Sequence, residues 1–223
     1  MTTHCIKMWL RKSSILGVAL TLAVPATAAG TTVAAPGARE AAAAPTASYA
    51  CLADTKFGRH TFSLRQGVDA KAPATVRSGA RFTVAVDLKP GSLPGEVKGF
   101  KLKEVRELSL RIPVPANTSF VSARLTGGSG LGSTPTLERS GGVLTIRVGG
   151  PIPGGSAYQL PSLSVRLKAG ARGRVVETKL LGTSFDNPGL NLRATIKWKF
   201  VTIKSPVACY PSPNPALTKT QIR

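Results

Sequence analysis

Arg81-Phe82-Thr83-Val84-Ala85-Val86-Asp87-Leu88 places Phe82, Val84, Val86 and Leu88 at alternate positions. Successive side chains of an extended chain point to opposite faces, so this stretch reads as a strand with one apolar and one polar face. The same period continues in both directions. Upstream, Thr61-Phe62-Ser63-Leu64-Arg65 is a shorter copy. Downstream it recurs in Glu107-Leu108-Ser109-Leu110-Arg111-Ile112, in Val121-Ser122-Ala123-Arg124-Leu125 and in the row Leu163, Val165, Leu167. Thr136-Leu137-Glu138-Arg139 and Val143-Leu144-Thr145-Ile146-Arg147-Val148 flank Ser140-Gly141-Gly142, where glycine supplies the positive φ of a hairpin turn. Residues 174–182 read as a further strand with apolar residues on both faces, which leaves the register open. In the last strand Leu192, Ala194, Ile196, Trp198 and Phe200 point one way, and Arg193, Thr195, Lys197 and Lys199 the other.

Helix signals are weak by comparison. Residues 97–108 come nearest, but Gly99 and a poor 3.6-residue repeat argue against a stable helix. The connections are rich in glycine and proline, notably residues 90–95, 126–134 and 149–155. Short alternating strands between such turns predict an all-β domain, a single antiparallel β-sandwich of about eight or nine strands over residues 49–210. Apolar residues make up 42% of the 223-residue chain, enough for a core, which excludes a wholly disordered polycation. Beyond residue 30 no apolar run approaches the ~20 residues that a spanning helix needs.

Arg111-Ile112-Pro113-Val114-Pro115-Ala116-Asn117-Thr118-Ser119-Phe120-Val121-Ser122-Ala123 resembles a stretch of the Ig-like domains repeated in bacterial surface proteins. The likeness continues through Gly141-Gly142-Val143-Leu144-Thr145-Ile146 and Pro153-Gly154-Gly155-Ser156, and covers roughly residues 105–170. Tyr49-Ala50-Cys51 at one end and Ala208-Cys209-Tyr210-Pro211-Ser212-Pro213-Asn214-Pro215 at the other are similar to the ends of exported actinobacterial all-β proteins of uncharacterised function. These resemblances imply fold and location and carry no catalytic residues.

The N-terminus has the three parts of a secretory signal peptide over residues 1–28: Lys7, Arg11 and Lys12, then an apolar run over residues 15–24, then Ala26-Thr27-Ala28. Cleavage is expected after Ala28 or Ala29. Residues 29–48, mostly Ala, Thr, Gly and Pro, offer little to pack and read as a linker. Residues 211–223 read as an extended Pro-rich tail. Cys5 leaves with the signal. Cys51 and Cys209 remain at the two ends of the domain, and an even pair in an oxidising compartment is expected to bond.

Charge carries the functional expectation. The chain holds 30 Lys and Arg against 10 Asp and Glu, and losing three basic residues with the signal lowers +20 to +17. Such a surface attracts polyanions before any specific contact forms. The basic residues group as Lys98, Lys101, Lys103 and Arg106; as Arg166, Lys168, Arg172 and Arg174; and as Arg193, Lys197, Lys199 and Lys204. The last two groups are the candidate anion-binding residues. The plainer reading is a set of solvated strand faces whose lysines guard against edge pairing.

Catalytic signals are thin. Gly127-Gly128-Ser129-Gly130-Leu131 lacks the last glycine of a nucleophile elbow, and His60 beside Arg59 reads as a surface or edge-strand residue. The scattered acids select no glycosidase pair, and no spacing suggests a metal or a cofactor. The expectation is a secreted or envelope-associated, non-catalytic protein that engages an anionic envelope glycopolymer or lipid headgroups and binds nucleic acid only non-specifically. A self-assembling surface or adhesin subunit with a protein partner is the alternative, and a secreted hydrolase is a more distant one.

Overall fold

A computed structural model describes residues 46–223, so the expected signal peptide and the linker up to residue 45 lie outside the described residues. The described chain forms strands and no helix. In order they are β1 (Thr46–Thr55), β2 (Gly58–Lys71), β3 (Thr75–Val76), β4 (Arg81–Leu88), β5 (Gly91–Ser92), β6 (Glu96–Val97), β7 (Phe100–Pro113) and β8 (Thr118–Thr126). Then follow β9 (Thr136–Ser140), β10 (Val143–Val148), β11 (Ile152–Pro153), β12 (Ala157–Tyr158), β13 (Ser162–Ala169), β14 (Val175–Thr178), β15 (Leu190–Trp198), β16 (Val201–Pro211) and β17 (Thr218–Ile222).

One antiparallel sheet runs β8-β13-β4-β2-β1-β16-β15-β7-β10-β9, with β6 and β11 added along β7. Its two end strands meet through side chains: the Arg139 guanidinium of β9 lies 4.5 Å from the Phe120 ring centre of β8. The sheet is therefore nearly a closed barrel, and this corrects the expected Ig-like sandwich of eight or nine strands. Two sheets become one through the long β2, whose residues 58–67 pair with β1 and 68–71 with β4. β1 pairs in turn with β16, with Cys51 directly opposite Cys209. The two cysteines are bonded across that pair, at a sequence separation of 158 residues. In the chain-entropy view a loop of this length stabilises the fold by on the order of 5 kcal/mol.

The expected alternation largely holds where strands are regular. Phe82, Val84, Val86 and Leu88 are buried, as are Leu163, Val165 and Leu167, and the β9–β10 hairpin turns at Gly141-Gly142. Burying each such side chain contributes about 1.5–3 kcal/mol. On β8 a register shift opposite Arg166 and Leu167 turns Val121 outward, and Phe120 packs against the core in its place. In the segment whose register was open, Val176 and Thr178 face inward, and β14 ends there.

β2 turns Phe62 and Leu64 inward and leaves Arg59, Thr61, Ser63 and Arg65 exposed. This is the reverse of a membrane barrel, whose apolar row faces out.

One end of the barrel is capped. β14, β17 and β3 form a small sheet there, β17 antiparallel to β14 and parallel to β3. Val176, Thr178, Thr220 and Ile222 are buried beneath it. Thr220 Oγ1 donates to the Pro73 carbonyl at 2.7 Å, and Thr218 Oγ1 to Thr178 Oγ1 at 2.9 Å. Residues 211–223, expected as an extended Pro-rich tail, thus close the fold, and strands extend on both sides of 49–210.

Candidate binding site at the turn end

The opposite end consists of three tight turns. Register fixes them: Thr55 faces Gly58 across Lys56-Phe57, Val97 faces Phe100 across Lys98-Gly99, and Trp198 faces Val201 across Lys199-Phe200. Lys98 and Gly99 both have positive φ, at 49° and 80°, which two-residue hairpins of this hand require. The turns are brought together by aromatic contacts. The Phe57 and Trp198 rings lie 5.3 Å apart, Phe100 and Trp198 6.1 Å, and His60 and Phe100 5.4 Å.

Trp198 and Phe200, expected on the buried face, are at the surface instead. The inward row ends at Ile196, after which the strand turns into solvent; Phe200 is 97% exposed and Phe57 47%. Around them stand Lys56, Arg59, Lys98, Lys101, Lys197 and Lys199. Lys197 is directly opposite Lys101, and Lys199 Nζ lies 5.1 Å from the Trp198 ring centre. The acids at this end are Glu96, opposite Lys101, and Asp54, opposite Arg59.

The eight candidate anion-binding residues do not form one site. Lys197 and Lys199 belong to the turn end. Arg193 lies further along β15 and pairs with Glu107 at 3.0 Å, and Lys204 sits opposite Thr195 on β16. Arg166 and Lys168 are on β13, separated from β15 by four intervening strands, with Lys168 opposite Arg81. Strand direction takes Lys168, and the loop carrying Arg172 and Arg174, towards the capped end. In the first basic group, Arg106 Nε is 2.8 Å from Glu104 and Lys103 is exposed.

Most acids are likewise engaged in exposed ion pairs. Asp87 accepts from Lys89 and from Ser162, each at 2.6 Å, and these bonds hold its carboxyl below the ordinary carboxylate range. Glu104 is lowered by Arg106, and Glu177 by Lys179 and then Lys219.

Behind the turns lies a cavity of about 300 Å³. Lys98, Phe100, His60 and Glu96 line its outer part, and Tyr49, Cys209 and Leu110 its depth. Its walls are mostly apolar residues of β1, β2, β7, β15 and β16, and residues 93–98 fold over one side. Polar groups are few. Tyr158 Oη donates to Gln66 Oε1 at 3.0 Å, and Gln66 Nε2 donates to the Lys89 carbonyl at 2.7 Å. Burial pushes the Tyr49 and Tyr158 phenols up, so both stay neutral. His60 Nε2 is buried with no hydrogen-bond partner, which corrects the reading of His60 as a surface residue.

Phe57, His60 and Phe100 are the members of this end that sequence reasoning missed. The available signal was an aromatic residue placed next to lysine inside a turn, in Lys56-Phe57-Gly58 and again in Lys199-Phe200.

Neither a protein-family model nor a curated protein matches this chain. Among solved structures, it is similar to a protein of Corynebacterium diphtheriae described as membrane-anchored, with a TM-score of 0.53 and 17% identity. The match covers 80% of this chain and 37% of that one, so this chain spans little more than a third of that protein. The shared feature is the fold, here with an actinobacterial protein, while the likeness to Ig-like repeats finds no matching family model.

Proposed function

We propose that this chain is an exported, envelope-associated, non-catalytic binding protein whose cationic surface engages an anionic lipid surface through the turn end. The observation that carries the reading is Phe200, almost wholly exposed at a hairpin tip directly after Lys197-Trp198-Lys199. Exposed aromatic rings with adjacent lysines favour the membrane interface, where the ring meets acyl carbon and the ammonium meets phosphate. Each basic residue near an anionic surface contributes about 1 kcal/mol. The Cys51–Cys209 bond suits an oxidising compartment, and the membrane-anchored description of the Corynebacterium protein fits an envelope setting.

The test is co-sedimentation with vesicles of phosphatidylcholine alone or mixed with phosphatidylglycerol, across a salt series. Binding is expected only with the anionic lipid, weakened by salt and by Lys197→Glu combined with Lys199→Glu, and largely lost with Phe200→Ala. Equal binding of wild type and Phe200→Ala would move the contact elsewhere. Binding to cell-wall glycopolymer without binding to vesicles would replace lipid with glycan as the partner.

A further inference from the structure

We infer that the barrel interior is a binding site for a single-chain anionic amphiphile, such as a long-chain fatty acid. Its chain would lie along β1, β2 and β15, with its head group at His60 and Lys98. The inference rests on the proposed function only for the route by which the ligand arrives.

Shape is the first argument. The cavity follows β1 from Thr55 to Tyr49, a distance of roughly 20 Å at ~3.3 Å per residue. That suits an extended chain better than a compact ring. Its volume of about 300 Å³ is roughly twice that of an engineered apolar cavity that takes up benzene. Chemistry is the second argument. Buried water needs two to four polar partners, and the long walls of Phe62, Leu64, Leu102, Leu192 and Ile196 offer none from their side chains. Alkyl carbon recovers the dispersion contacts such walls can make.

The third argument is where the polar groups are. His60 Nε2 is buried and unpartnered near the mouth, and Lys98 lines the same part of the cavity. An unpaired buried nitrogen is costly, and a carboxylate accepting from Nε2–H would satisfy it through a charge-assisted bond. Glu96 also lines the mouth, but it faces Lys101 across the β6–β7 pair. Phe100 lines the outer part of the cavity and its ring contacts Trp198 of the turn-end cluster, so an acyl chain arriving there would pass into the protein along aromatic contacts.

The experiment uses the purified chain, without vesicles, and the fluorescent fatty acid cis-parinaric acid. Expected is a saturable rise at one site, displaced by oleate and not by hexanoate. Ala194→Phe and Ala53→Leu, which both fill the cavity, should each weaken binding roughly tenfold or more. His60→Leu should weaken the acid roughly tenfold, and its methyl ester less. Absence of saturable binding, displacement that ignores chain length, or affinity unchanged in both filled variants overturns the inference. The chain-length series needs only the wild type, so it decides the question even if the filled variants do not fold. Loss of vesicle binding with parinarate binding intact overturns the docking reading alone, and the converse overturns the cavity alone.

Discussion

At the capped end Val176, Thr178, Thr220 and Ile222 are buried, and the hydroxyls of Thr178, Thr218 and Thr220 are bonded within the protein. At the turn end Phe57, Trp198 and Phe200 stand in solvent, and a buried imidazole nitrogen has no partner. Both ends belong to the same barrel, so the requirements of the fold do not explain the difference. Burying a β-branched side chain and pairing its neighbours is what stability selects. Phe57 and Trp198 at least pack on each other, but Phe200, almost wholly exposed, buries nothing within the chain. Under the proposed function, the contrast puts stability at one end and binding at the other.

Predictions follow from that contrast, in order of expected effect. The bridge between β1 and β16 holds the staves that both ends share. Cys51→Ala with Cys209→Ala should therefore cost on the order of 5 kcal/mol in chemical denaturation. A loss near zero would mean that strand pairing alone closes the wall. At the capped end, Ile222→Ala should cost about 2–5 kcal/mol, as large-to-small changes in a packed core do. A negligible loss would demote the cap to an ornament.

At the turn end, Phe200→Ala should change stability by less than ~0.5 kcal/mol while vesicle binding falls. A large loss of stability there would erase the distinction between the ends. Asp87, on the wall between them, sets a baseline. Because its folded-state pKa is lowered, first by the Lys89 bond, its contribution is present above the unfolded carboxylate value of about 3.9 and is lost as pH falls through the folded value. The melting-temperature difference between wild type and Asp87→Asn should be small, because the pair is exposed, and should vanish in acid.

Regular strands were legible from their period. β4, β10 and β13 expose and bury the expected residues because nothing interrupts their alternation. β7 was legible only in part. Its buried residues run Leu102, Val105, Leu108, Leu110 and Ile112, since register shifts against β15 and a positive φ of 51° at Glu107 break the phase. β16 was missed because its turn, Lys199-Phe200, contains no glycine, proline or asparagine to mark it. Without that break, Trp198 and Phe200 seemed to extend an apolar row that ends at Ile196. Of the candidate site, the lysines at 197 and 199 were found. That Lys101 of another basic group joins them, while Arg166, Lys168, Arg172 and Arg174 lie elsewhere, was not legible, because sequence clusters carry no information about which strands become neighbours.

Local pattern and composition, by themselves, determined that this chain is all-β, strongly basic and bridged between Cys51 and Cys209. Those properties follow from side-chain alternation, charge count and cysteine parity, which need no partner strand to read. Tertiary structure alone decided that one sheet curls into a near-barrel, that residues 218–222 cap it, and that aromatics from three separate turns meet over an apolar cavity. Each of these depends on pairings between residues far apart in the chain, such as Cys51 with Cys209 and Lys101 with Lys197. Strand pairing is set by the summed fit of whole faces, and no single segment contains that sum.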